Sequence, residues 1–333
     1  MKLHSNNLFN DLKDIIEQGK QQVNKQVNST LTLVYWQVGH RVNKELLKNK
    51  RAEYGKEIIS QIATNLVSNY GNGFTIKNLH RMIQFAQDFE EIEIVVTLSR
   101  QLSWSHFLLL IPIKTKEAKK YYSEKIIEEQ WSVRETRRQI ERKAFERQEL
   151  ASIQLSETNS DIQSSFKDPY LLDFLGIKDG YLENDLESAI LKELENFILE
   201  LGKGFAFIER QKRMIIDGED FYLDLLFFNR KLKRLVAVEL KIGKFKAAHK
   251  GQMELYLKWL ERQETQEDEN SPIGLIICAE KSNEQIELLE MGKDGIMVAE
   301  YWTELPPKAL LEKKLQEALI EAKERIEKKK LIQ

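Results

Sequence analysis

The chain has 333 residues and a formal net charge of −2, with 51 lysines and arginines against 53 aspartates and glutamates. Its length points to about two domains, and the charge balance excludes a polycation, so nucleic acid would have to be met by local patches. Cys278 is the only cysteine, which excludes an intrachain disulfide. No GxxxxGK[ST] or GxGxxG motif and no Cys/His cluster at zinc spacing is present. The opening MKLHSNNLFNDLKDII lacks the apolar core of a signal peptide. The longest apolar run, Phe107 to Ile113, is too short to span a bilayer. A cytoplasmic protein without a membrane partner is expected.

Residues 1–150 read as an all-α domain. Amphipathic patterns run through Leu8, Leu12, Ile15 and Ile16, through Leu31, Val34, Tyr35, Val38 and Val42, and from Ile58 to Val67. The third stops at Tyr70-Gly71-Asn72-Gly73, where glycine can supply a left-handed cap. Thr75 then caps a helix through Leu79, Met82, Ile83 and Phe85. Helix, glycine turn, helix is helix-turn-helix-like; an ordinary helical hairpin fits equally well. His106, after Leu102-Ser103-Trp104-Ser105, reads as packed or capping. Ser132 and Glu135 form a capping box. The helix they open carries Arg134, Arg138 and Arg142 at spacings of four, near one face. Phosphate contact and a solvated face interleaved with Glu135, Glu141 and Glu146 weigh equally there.

Residues 151–165 read as a linker, with little apolar content and no period. A second domain then covers 166–304: a helix over Leu182 to Leu201 carrying Glu183 and Glu187, a strand over Phe205 to Arg213, a turn at Asp217-Gly218, a hairpin, a helix from about Ala247 to Leu260, and strands at Ile273 to Ala279 and Ile296 to Ala299. That order gives a mixed sheet flanked by helices. Residues 305–333 form a charged helix that either caps the domain or mediates oligomers.

The hairpin, FYLDLLFFNRKLKRLVAVELK, carries acid inside two apolar runs: Asp224 and Glu239. A carboxylate in a buried strand costs several kcal/mol unless paired or bound to a cation. If the hairpin closes symmetrically on Lys231 and Leu232, Asn229 pairs with Arg234 and Asp224 falls opposite Glu239. Glu239 and Lys241 then share a face. Opposed like charges repel, and a divalent cation between them removes the repulsion. Mg²⁺ suits such an oxygen site. A bulge in the turn would break this register.

Asp224, then Glu239-Leu240-Lys241, then Gln252 and Tyr256 in a QxxxY element resemble the PD-(D/E)XK nuclease superfamily. The segments LGKGFAFIERQ, DFYLDLLFFNRKL, VELK and GQMELYL, with YWQVGHRV, AEYGKEI, GNGFTIKNLHRM, LSWSHF and WSVRE in front, resemble the bacterial YhcG family over nearly the whole chain. The resemblance implies an α+β protein, with the helical domain followed by a restriction-endonuclease-like α/β domain, and phosphodiester hydrolysis, most simply in DNA. Asp224, Glu239 and the Leu240 carbonyl would hold Mg²⁺ or Mn²⁺, with Glu187 assisting. Lys241 would position water, and Gln252 and Tyr256 would orient the site. Arg210, Lys212 and Lys244 are the expected phosphate clamps. Glu209 stands where the family leads one to expect a small residue. A non-catalytic nucleic-acid binder and an RNA endonuclease are the rival readings.

Overall fold

The computed structural model describes residues 2–48, 52–154, 162, 165–177, 182–202 and 204–332. Much of the expected linker (155–161, 163 and 164) lies outside the described residues. The chain divides into two compact units, Met1–Ile140 and Glu141–Gln333.

The first unit is helical: α1 (Lys2–Lys48), α2 (Ala52–Tyr70), α3 (Ile76–Asp88), α4 (Ile92–Ser99), α5 (Trp104–Leu110), α6 (Lys116–Glu129) and α7 (Val133–Glu141). The first two sequence patterns fall on one long helix, α1, because no residue between them breaks it. Gly71, at φ 85°, ends α2, and one 3-10 turn, Asn72–Phe74, leads into α3. Thr75 takes the N-cap position of α3 without a side-chain capping bond. Val42 packs with Ile59, Ala63, Leu79, Met82 and Ile83. His106 is a cap: its Nδ1 accepts from the Ser103 backbone N–H at 3.1 Å.

Gly39 is where α1 touches α3. A Cβ there would lie 1.9 Å from the Met82 carbonyl oxygen and 2.3 Å from its carbon. Alanine normally favours a helix over glycine by about 1 kcal/mol, yet overpacking against backbone costs about 1–3 kcal/mol or more. Gly39→Ala is therefore expected to destabilise the helical unit by about 2 kcal/mol net. Denaturant unfolding followed by far-UV circular dichroism checks this, and an unchanged or later midpoint would refute the close crossing.

The second unit holds α8 (Ala144–Gln154), β1 (Tyr170–Leu171), α9 (Glu183–Lys192), α10 (Leu194–Leu201), β2 (Phe205–Ile216), β3 (Glu219–Asn229), β4 (Arg234–Lys244), α11 (Ala247–Gln263), β5 (Ile273–Glu280), α12 (Asn283–Leu288), β6 (Ile296–Trp302) and α13 (Lys308–Ile332). The sheet is mixed, in the order β1-β6-β5-β4-β3-β2. β2, β3 and β4 are antiparallel, and β4, β5, β6 and β1 are parallel. Parallel neighbours need a crossover, which α11 supplies between β4 and β5.

Three expectations change. The helical unit ends at Ile140 rather than at 150, so α8 belongs to the second unit. Residues 151–154 continue α8 and Ala151 is buried in the main core, so this part of the expected linker is folded. The helix expected over Leu182 to Leu201 is two, parted at Glu193, whose backbone leaves the helical region (φ −107°, ψ 32°). Leu150 packs with Leu311 and Leu315, seating α13 on α8. Among the described residues no helix is long and apolar enough to cross a membrane.

Each face of the sheet is covered. Leu186, Ile190, Phe197 and Leu201 from α9 and α10 pack with Leu225, Phe227, Val236, Val238 and Leu240. Met253, Tyr256, Leu257 and Leu260 from α11 pack with Leu226, Leu235, Ala237 and Ile276 on the other.

Candidate active site

Two turns set the strand register that builds the site. Asp217 and Gly218 both have positive φ, 51° and 84°, the backbone of the two-residue turn whose twist suits a hairpin. At the next turn the Asn229 carboxamide oxygen accepts from the Lys231 and Leu232 N–H groups, each at 3.0 Å. That local bond closes the loop and fixes Asn229 against Arg234, then Phe228 against Leu235, out to Leu225 against Val238. The ladder ends there, one step short of the expected Asp224–Glu239 pair.

Past that step the Asp224 side chain takes over from the backbone. Its Oδ2 accepts from the Leu240 N–H at 2.8 Å. Its Oδ1 accepts from Gln211 Nε2 at 3.2 Å, and the same nitrogen donates to Glu187 Oε2 at 2.8 Å. Glu187 projects from α9, whose Leu186 and Ile190 hold it on the sheet. One turn earlier Glu183 accepts from the Ile242 N–H at 3.3 Å, and its other oxygen lies 4.0 Å from Lys241 Nζ.

Glu239 follows Leu235 and Ala237 onto the α11 face. It is 4% exposed, and its Oε2 is buried without a hydrogen-bond partner. Lys241 Nζ donates to its Oε1 at 2.9 Å. From α11, Gln252 Nε2 donates to the Tyr256 hydroxyl at 2.7 Å, which donates to the Tyr222 carbonyl at 3.3 Å. The QxxxY pair thus braces β3 two residues before Asp224.

The electrostatics follow from this crowding. Burial, then the Asp224 charge, push the Glu239 carboxyl up to about 7, against the pull of Lys241. Burial also raises Asp224, opposed by the Leu240 N–H and Lys241. Glu187 is raised by burial and by Asp224, opposed by Gln211 and Arg210. Burial works against the Lys241 ammonium, but Glu239, Glu183 and Asp224 outweigh it and hold it above its ordinary value.

Among the described residues no three His, Cys, Asp or Glu side chains close into a ready-made cation cage. The donor set still fits Mg²⁺ or Mn²⁺: two hard carboxylates, one with a buried oxygen that makes no hydrogen bond of normal geometry, beside the backbone of Leu240. Mg²⁺ needs few protein ligands because it keeps several waters.

The expected phosphate-binding residues do not gather at this site. Lys212 Nζ lies 2.8 Å from Glu264 and 3.1 Å from Glu209, and Lys244 lies 2.9 Å from Glu280. Glu209 is thereby turned to Lys212. Arg210 is exposed and near enough to Glu187 to lower its carboxyl. Arg138 pairs with Glu135 at 3.0 Å, and Arg134 is exposed. Arg142 departs from the expectation outright. The chain leaves α7 after Glu141 and turns through Lys143 at φ 56°, so the helical face ends at Arg138. Arg142 is buried in the second unit, donating to the Leu171 carbonyl at 2.7 Å and pairing with Asp173 at 2.7 Å.

Two residues beyond the expected set, Gln211 and Glu183, belong to the site. Glu183 lies one helical turn before Glu187 and shares its face, which was a usable signal. Nothing in the sequence singles out Gln211, which depends on a register irregularity in β2.

Comparison with known proteins follows the same division. The family model described as the YhcG PDDEXK nuclease domain matches residues 163–319, and the DUF1016 N-terminal domain matches residues 11–147. "Putative nuclease YhcG" of Escherichia coli (strain K12) is 33% identical over 345 residues, covering 92% of this chain and 91% of its own. Among solved structures, a repair endonuclease from Pyrococcus abyssi aligns at 25% identity and TM-score 0.27, over 39% of this chain and 50% of its own. An EndoMS–dsDNA complex aligns at 21% identity and TM-score 0.27, over 39% and 48%.

Proposed function

Because the chain belongs to the YhcG family of PDDEXK nuclease-domain proteins, we propose that it hydrolyses phosphodiester bonds in DNA with a divalent cation, Mg²⁺ or Mn²⁺, held between β3 and β4. The observation that carries this is the Glu239 carboxylate: buried, within the field of Asp224, one oxygen on the Lys241 ammonium and the other making no hydrogen bond of normal geometry, with only the Asp224 backbone N–H acting on the group besides. A buried acid so placed is costly in a protein that merely binds, and a cation relieves it.

Asp224, Glu239 and the Leu240 carbonyl would hold the ion, and Glu187 would reinforce them. When bound, the ion would supply Lewis-acid polarisation of the phosphate and lower the pKa of water beside it. Lys241 orients the attacking water and offsets negative charge growing at phosphorus. Gln252 and Tyr256 keep β3 and α11 in register around Asp224. Arg210 faces the approaching phosphate from the exposed side of Glu187. In the helical unit, the exposed Arg134 engages the duplex through its phosphates, without reading bases.

The test is a cleavage panel with the whole chain: supercoiled and linear duplex, branched DNA, single-stranded DNA and RNA, with Mg²⁺, Mn²⁺ or EDTA. Cation-dependent nicking of DNA is the expected result. Cleavage of RNA alone would move the substrate to RNA, and no cleavage with tight DNA binding would leave a binder on a nuclease fold.

A further inference from the structure

We infer that Gln211 is a positioning residue of the cation site: its side-chain amide ties Glu187 of α9 to Asp224 of β3 and so brings the helix carboxylate to the strand carboxylates. This rests on the cation-dependent reading above and names a residue that the acid–acid–lysine pattern does not contain.

The first observation is the bonding. One nitrogen, Nε2, donates to Glu187 at 2.8 Å and to Asp224 at 3.2 Å. Asp224 is meanwhile held at its other oxygen by the Leu240 N–H. Asp224 is thus fixed from both sides, and the contact that joins Glu187 to it runs through this amide. Among the described residues no three acid side chains gather on one ion-sized point, and it is this amide that links Glu187 to Asp224.

The second observation is the register. Phe205 opposes Asn229, Ala206 opposes Phe228, and Phe207 opposes Phe227. Continued unchanged, that pairing would set Arg210 across from Asp224. Instead β2 slips between Phe207 and Glu209, so Arg210 opposes Leu225 and Lys212 opposes Leu223. Gln211 is left facing Asp224. A strand irregularity of this kind re-aims side chains next to a site. Its chemical consequence is large. A guanidinium there would pair with the carboxylate through two charged hydrogen bonds and compete with any cation. A neutral amide orients both carboxylates and leaves their negative charge for the ion.

The third observation is the backbone. Gln211 sits at φ 47° in the edge strand, a region that residues with side chains seldom occupy. Such a conformation persists where the surroundings over-determine it, often at functional sites. Here the slip and the two carboxylate bonds supply that constraint.

The experiment measures Mn²⁺ binding to the whole chain by the loss of the free-ion EPR signal, with melting temperature in EDTA recorded in parallel. Removing an outer partner of metal ligands typically costs about 10- to 100-fold in affinity, so Gln211→Ala should weaken Mn²⁺ binding by at least about tenfold. Gln211→Gly removes the amide and relieves the backbone; it should bind Mn²⁺ as weakly as Gln211→Ala while melting no lower than wild type. Gln211→Arg should bind less Mn²⁺ than either. Wild-type affinity in both Gln211→Ala and Gln211→Gly would overturn the inference, whatever their melting temperatures. If Asp224→Ala also kept wild-type affinity, the cation site itself would fall.

Discussion

Asp224→Asn and Lys241→Ala should each lower cation-dependent nicking of supercoiled DNA by about a thousandfold or more while leaving affinity for uncleaved duplex largely unchanged. The size follows from what each group does. Loss of one preorganised charge partner at a developing oxyanion costs about 10²- to 10³-fold, and loss of a cation ligand adds the cation's own contribution. DNA affinity comes from many phosphate contacts, and these two residues act at the single scissile phosphate. Asp224→Asn keeps the side chain's shape and can still accept from the Leu240 N–H, so the fold survives. Nicking rates and fluorescence anisotropy in EDTA separate the two effects. Wild-type nicking by both variants would refute the site. Equal loss of binding and cleavage would assign these residues to DNA contact.

Glu239 gives the same site a pH signature. An acid raised from 4.5 to about 7 in the fold is neutral at low pH and becomes a buried charge as pH climbs. Its sign is that of a group that destabilises when ionised: the cation-free fold loses about 3 kcal/mol as pH rises from the unfolded value through about 7. The cation needs the ionised form. Affinity for Mg²⁺ should therefore fall by up to about tenfold per pH unit below pH 7. Nicking should follow it, and added Mg²⁺ should restore the melting temperature lost at alkaline pH. Glu239→Gln should flatten the melting profile in EDTA.

What the sequence made legible was what local chemistry decides. Asp217-Gly218 and the Asn229–Arg234 break each decide a turn within a few residues, and the second of these turns dictates the β3–β4 register that brings Asp224 toward Glu239. Lys241 and Tyr256 follow from periodicities of two and of helical turns. Features set by distant packing were not legible. β1 is two residues, recognisable only because Tyr170 and Leu171 lie against Tyr301 and Trp302. The slip that selects Gln211 over Arg210 depends on how β2 packs. Arg142 shows the same limit from the other side. Its spacing from Arg134 and Arg138 is that of a phosphate-binding face, but the break at Lys143 turns it into the core.

That buried arginine belongs to the network behind the other large expected effect. Arg147 is fully buried. Its Nη1 donates to Glu200 and, at 3.0 Å, to the Pro169 carbonyl, while its Nε donates to the Arg142 carbonyl at 2.9 Å. Glu200 also accepts from the Leu171 N–H at 3.0 Å, and Arg142 stands 3.6 Å from its second oxygen. Burial alone would raise the Glu200 carboxyl, but Arg147, Lys167 and Arg142 outweigh it and hold it at about 2. One buried acid thus joins α8, α10 and β1. Removing one partner of a buried ion pair strands the other, at about 3–5 kcal/mol. Arg147→Met and Glu200→Gln should each destabilise the second unit by about that amount, seen as an earlier urea midpoint. The double variant should lose less than the sum, because neither charge is left facing an absent partner. Acid adds an independent check. A carboxyl depressed from 4.5 to about 2 contributes about 3 kcal/mol above the unfolded value, lost as pH falls from 4.5 toward 2. Glu200→Gln should therefore flatten that limb of the stability profile. Additive losses with an unaltered acid limb would mean that hydrophobic burial alone seats α8 on the sheet.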